Sequence, residues 1–187
     1  MTTMTMTKPG LLTAEEFFLR EDLDSLTELV KGEVIQLPPA DSYHGTICAK
    51  LVFLIMQHAN QHELGHVFSN DGTIITERGP DSVRGADVGY ISYAKIPKGQ
   101  YPRGPLTIPP DLIVEVRSPS DRWVKIQRKV VEYIDAGVTV VCVVDPTTET
   151  ARIYRADRDE EQLKNGDLVR FDDVLPGFSV PLKQLFE

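Results

Sequence analysis

The sequence predicts an α/β fold, a central mixed β-sheet flanked by helices, and three observations predict it. Residues 138–144 (VTVVCVV) are a continuous apolar run rich in β-branched side chains, as expected of a strand covered by helices on both faces. Residues 111–117 (DLIVEVR) form a second strand, and the helical stretch between the two makes a crossover unit whose strands lie parallel. Residues 42–63 carry Ile47, Leu51, Leu54, Ile55, Met56 and Ala59 at helical spacing, so a long helix packs on the sheet. The chain has 187 residues, 41% of them hydrophobic, which suits one domain over residues 11–187 behind an aperiodic, flexible leader, residues 1–10.

The remaining elements follow in chain order. Thr13 and Glu16 fit a capping box that opens a short helix to about Arg20. Residues 26–30 and 33–37 read as an extra N-terminal hairpin turning at Lys31-Gly32. Two short strands, 67–68 and 73–76, are expected around a turn at Asn70-Asp71-Gly72, and a further strand at 86–92. The Pro/Gly-rich stretch 96–110 is a loop, and Lys95, Lys98 and Arg103 make it a candidate flap for a nucleic-acid strand. Residues 118–121 (SPSD) stop the second acid strand and are expected to cap a helix to about Ala136, with Gly137 as its stop. Residues 151–154 and 168–171 complete the fold as C-terminal strands, with a last turn at 182–186.

Charge and cysteine content restrict function. With 28 acidic and 20 basic residues the net charge is −8, a field that repels polyanions and counts against a scanning DNA binder, though not against an enzyme with a local basic groove. Cys48 and Cys142 sit in apolar runs without CxxC or a histidine at ligand spacing, so both read as small buried hydrophobes. No stretch approaches the ~18 apolar residues of a membrane span, so no membrane partner and a cytoplasmic location are expected.

The chemistry lies in two strands. Alternation puts Asp111, Ile113, Glu115 and Arg117 on one face of 111–117, so Glu115 projects from an otherwise apolar strand. Asp87, in ADVGYI, does the same. A carboxylate there needs a partner, because desolvating it alone costs several kcal/mol. The partner is either a cation of the chain, Arg84 or Arg117, or a divalent metal held through oxygen. On the following helix Arg122, Lys125, Lys129 and Glu132 share a polar stripe, and Lys129 lies where its ammonium reaches the strand ends. His58 and His62 are four residues apart but lack an HExxH pattern, so a solvated helix end is expected.

Several segments together, TAEEFF, TELVKGEVIQLPPADSYH, RGADVGYIS, PPDLIVEVRSPSD and KVVEYIDAGVTVVCVVDP, resemble the Uma-type endonucleases of the PD-(D/E)XK nuclease superfamily over most of the chain. The resemblance implies a restriction-endonuclease-like fold. It implies that Asp87 and Glu115 bind the metal, with the Val116 carbonyl a third oxygen ligand, that Glu28 faces the same site, and that Lys129 is the catalytic lysine, moved from strand to helix. His44 matches a frequent family histidine. The superfamily's usual lysine position is here Arg117, which strand parity allows to pair with Glu115, grip a phosphate or partly replace the lysine, although arginine cannot act as a base. The expected activity is hydrolysis of DNA phosphodiester bonds with Mg2+ or Mn2+, with Lys125, Arg117 and His44 as accessory residues and a homodimer as the assembly. The alternative is a nuclease-fold module that binds or assembles with little catalysis.

Overall fold

The structure, a computed structural model, describes residues 10–23, 26–101 and 103–187, so the expected leader lies, but for Gly10, outside the described residues. A short helix, α1 (Ala14–Phe18), carries the capping box at Thr13 and Glu16. It is followed by the hairpin β1 (Thr27–Val30) and β2 (Glu33–Gln36), turned by Lys31 and Gly32, both at positive φ as a primed hairpin turn requires. Helix α2 (Ser42–Gln61) is capped by Asp41 and buries Ile47, Leu51, Ile55 and Ala59, a stripe at strict four-residue spacing.

Two long antiparallel strands come next, β3 (Gly65–Glu77) and β4 (Ser82–Ser92), then β5 (Leu112–Val116), α3 (Trp123–Asp135) and β6 (Val140–Asp145). β5 and β6 pair in parallel, Val114 opposite Cys142, as the crossover predicts. β7 (Thr150–Arg155) and β8 (Arg158–Leu163) extend the sheet, giving the order β2-β1-β4-β5-β6-β7-β8, with β3 on the other edge of β4. β9 (Leu168–Arg170), β10 (Ser179–Pro181) and a final 3-10 turn (Leu182–Leu185) form a small separate sheet and cap. The fold is therefore mixed α/β with a central mixed sheet, but the hairpin is a working part of that sheet rather than an addition to it.

The sheet separates two cores. On one face α2 packs with Val88, Tyr90, Val114, Val116 and the C-terminal Phe171, Phe178 and Leu185. On the other α3 packs through Ile126, Val130 and Tyr133 on Ala86, Ile113, Val141 and Val143. His58 bonds the Pro176 carbonyl at 3.0 Å and sets its ring edge against Phe178, which docks it on the C-terminal cap, while His62 at the end of α2 is exposed.

Three expectations are corrected. The two short strands around Asn70-Asp71-Gly72 are one strand with a bulge: between Ser69↔Val88 and Gly72↔Ala86, β3 sets Asn70 and Asp71 against Asp87 alone. Asn70 and Asp71 take φ of 61° and 56°, a conformation both residue types tolerate, and so they signal a bulge as well as a turn. Asp121 does not cap α3; its carboxylate closes the preceding turn on the Ser118 amide, and the cap position is Arg122, with no side-chain bond. The loop 96–110 is stitched to β3, Leu106 exchanging backbone bonds with Thr73 and Ile75, and two of its flap cations are engaged: Lys95 by Asp111 and Lys98 by Glu63.

Candidate active site

One edge of β4 is taken along its length by β3. The opposite edge is shared: β1 pairs at its start, Leu29↔Val83, and β5 pairs from Val88↔Val114 to Tyr90↔Leu112. Between those contacts, along residues 84–87, the edge of β4 has no strand partner, and the sheet opens. The bulge at Asn70-Asp71 lies across from this opening, and it upsets the alternation of β4: Ala86 belongs to the core under α3, whereas Val88 belongs to the core under α2. Asp87, at the switch, turns into the gap. Its Oδ2 accepts the Val116 amide at 2.7 Å, a bond that the ladder no longer supplies.

Four acids reach the opening from separate segments. Glu28 of β1 is buried, 2% exposed, and accepts from Arg84 at 2.7 Å and Lys129 at 2.9 Å. Glu115 of β5, 4% exposed, accepts the Tyr133 hydroxyl at 2.8 Å and lies 3.4 Å from Lys129 Nζ. Asp87 faces His44 of α2, Nε2 to Oδ2 3.2 Å. Asp71 extends from the bulge, its Oδ1 3.3 Å from where a Cβ on Gly85 would stand, while the Gly85 amide donates to Glu28 and its carbonyl accepts from Tyr133.

Their electrostatics follow from crowding. Burial, and then the neighbouring Asp87 and Glu28, raises the pKa of Glu115 above the carboxylate range, against the pull of Lys129 and Tyr133. Burial works against the Lys129 ammonium too, but Glu115 and Glu28 outweigh it, so its pKa rises as well. Both partners of one contact thus shift upward, because burial of the acid, with Asp87 and Glu28 adding to it, outweighs the pull of one lysine. Asp71, exposed at its tip, is raised by the protein packed around its carboxyl and by Asp87. The Asp87 carboxylate and then Cys48 push His44 up to about 11.

The structure thus brings Glu28, Asp87, Glu115, Lys129 and His44 together, and leaves two other candidates outside. Arg117 does not pair with Glu115: its guanidinium bonds Asp145 at 2.9 Å and the Asp121 carbonyl, and it lies over Trp123 at 5.3 Å, because β5 ends at Val116 and the chain bends toward the start of α3. Lys125 is exposed on the outer side of α3. Neither Arg84 nor Arg117 pairs with Asp87 or Glu115; Arg84 is clamped between Glu28 and Glu132. Sequence reasoning missed Asp71 and Tyr133, and it offered Arg84 as a partner of Asp87 or Glu115 where the structure gives it to Glu28 and Glu132. Tyr133 stands four residues after Lys129 on the same face of α3, a spacing that signals a shared target.

Carboxylates at Asp87, Glu115 and Asp71 are the donor type that a hard divalent ion takes, while the donor atoms that lie within 4.8 Å of one another among the described residues are those of His44, Cys48 and Asp87. The Val116 carbonyl faces the same side as its N–H, which points at Asp87, because N–H and C=O of one strand residue point the same way. His44, with Cys48 3.6 Å from its other ring nitrogen, adds softer ligands alongside; the two are four residues apart on α2, a ligand spacing that the reading of the cysteines overlooked.

An opened mixed sheet with acids in the gap and a lysine from the next helix defines the restriction-endonuclease-like class. The fold matches a crystal structure titled "putative nuclease belonging to DUF820" from Anabaena variabilis ATCC 29413, with a TM-score of 0.79 and 20% identity, over 94% of this chain and 97% of that one. No curated protein matches the chain. Residues 14–183 match the Uma2 family, described as "Putative restriction endonuclease", and the chain belongs to that family.

Proposed function

We propose that the protein is a divalent-metal-dependent endonuclease that hydrolyses DNA phosphodiester bonds. The observation that carries the reading is the edge of β4 without a strand partner among the described residues, where Glu28 and Glu115 share Lys129 and Asp87 turns into the same gap. The family's description and the nuclease title of the structural neighbour support it. Asp87, Glu115 and the Val116 carbonyl would hold Mg2+ or Mn2+, and Asp71 adds negative charge beside Asp87. When bound, such an ion lowers the pKa of a water and offsets charge on the scissile phosphate.

The chain's own residues supply the rest. Lys129 has three N–H donors; Glu28 and Glu115 engage two, which fixes the ammonium and leaves the third for the attacking water or a phosphate oxygen. Tyr133 and Arg84 hold the acids that hold Lys129, so the lysine is positioned before substrate arrives. His44 orients Asp87 from the α2 side. Arg117, closed on Asp145, has no part in the chemistry. The net charge of −8 favours a second reading, a module that binds or assembles without cutting.

Plasmid nicking with Mg2+ or Mn2+ separates the two. The enzyme nicks, loses activity to chelation, and loses it in Asp87→Ala; equal cutting by that variant, or none by the wild type with either ion, removes the nuclease reading.

A further inference from the structure

His44 and Cys48 stand one turn apart on α2, and the bulge in the sheet brings Asp87 against them. One donor atom from each of the three residues lies within 4.8 Å of the other two. His44 Nε2 is 3.2 Å from Asp87 Oδ2, and the Cys48 sulfur is 3.6 Å from Nδ1 of the same ring. Zn2+ bonds nitrogen, oxygen and sulfur at ~2.0–2.3 Å, which sets tetrahedral ligands about 3.5 Å apart. The two contacts use different ring nitrogens, of which one binds the ion, so the site closes by turning the imidazole and the thiol until one nitrogen, the sulfur and an Asp87 oxygen, already within 4.8 Å of one another, share a centre with a fourth position for water. The side chains of His44 and Asp87 are 13% and 16% exposed and Cys48 is a half-buried free thiol, so an ion has access. A thiolate beside an imidazole selects Zn2+ over Mg2+, which takes oxygen ligands.

We propose that His44, Cys48 and Asp87 form an inhibitory site for a thiophilic divalent cation, Zn2+ in particular, that draws Asp87 away from the nuclease centre. On binding, the Cys48 thiol gives its proton to solvent and coordinates as thiolate. Asp87 turns its free oxygen toward α2, and the acid pair with Glu115 is broken. Cys142, wholly buried in the sheet, has no part in this. The inhibition rests on the nuclease reading; the binding does not.

Co2+ serves as the probe, because a cobalt–thiolate bond absorbs in the near ultraviolet. The full chain is expected to take up one Co2+ with that band, Zn2+ to displace it, and Cys48→Ser to lose it. Absence of the band in the wild type, or its survival in Cys48→Ser, overturns the site. His44→Ala should weaken Co2+ binding at least about tenfold; undiminished binding is equally fatal. In the second arm, Zn2+ is titrated against Mg2+-dependent nicking, and the half-inhibiting concentration rises at least about tenfold in Cys48→Ser. Equal inhibition of both proteins overturns the regulatory role. Failure of the wild type to nick removes the nuclease reading and the inhibition with it, while the cobalt band still decides the site.

Discussion

Two charged clusters meet at the end of β5, one built on Glu115 and the other, two residues on, on Arg117. Around Arg117 the charges balance: Asp145, 2% exposed, takes one guanidinium nitrogen, the Asp121 carbonyl takes the others, and Trp123 receives both Arg117 and Arg152 over its ring. Around Glu115 they do not. Among the described residues, Glu28, Asp71, Asp87, Glu115 and Glu132 face three cations, Arg84, Lys129 and the His44 imidazolium. Natural cores pair their buried charges, so a surplus of acid at an opening in a sheet marks a place built to receive a cation. The first cluster is a closed structural network; the second is the site under the proposed function.

Mutations can break this contrast. The largest effect is expected for Asp87→Ala and Glu115→Ala, which should lower cleavage by about 10³-fold while circular dichroism shows the fold intact. Lys129→Ala should lower cleavage by about 10²-fold and also destabilise, by on the order of 3 kcal/mol in urea unfolding, since it leaves Glu28 and Glu115 buried together without their shared cation. Arg117→Ala should cost a similar stability, about 3 kcal/mol, by stranding Asp145, yet leave cleavage per folded molecule unchanged. Loss of cleavage there at full stability would move Arg117 into the site. The smallest effect is expected at Lys125: Lys125→Ala should stay within about 0.5 kcal/mol in the same unfolding measurement.

The parts of this contrast differ in how far the sequence reveals them. α2, β5, α3 and β6 are legible because their periodicity follows from what they bury, as the Ile47-Leu51-Ile55-Ala59 stripe does. Asp87 and Glu115 are legible because an acid in an apolar strand demands a partner, whereas Glu28 and Lys129 are placed with them mainly by the family resemblance. β8 is not: RDEEQL is a solvent-facing edge strand, held by its ladder to β7 and not by burial. The Asn70-Asp71 bulge reads as a turn because both use residues that accept positive φ, and so Asp71 escaped the site. Arg117 misled by parity, which holds only while the strand lasts, and β5 ends one residue earlier. His44 and Cys48 were separated from Asp87 by sequence and joined to it by the sheet's opening.

Under the proposed function the charge surplus at the β4 edge is a cation-dependent nuclease centre, whereas the cluster around Arg117 is not. Plasmid nicking with Mg2+ or Mn2+, run side by side on wild type, Asp87→Asn and Arg117→Ala, tests it most directly. The account predicts cutting by the wild type and Arg117→Ala, abolished by chelation, and none by Asp87→Asn. Equal cutting by Asp87→Asn, or cutting that persists without a metal, would contradict it.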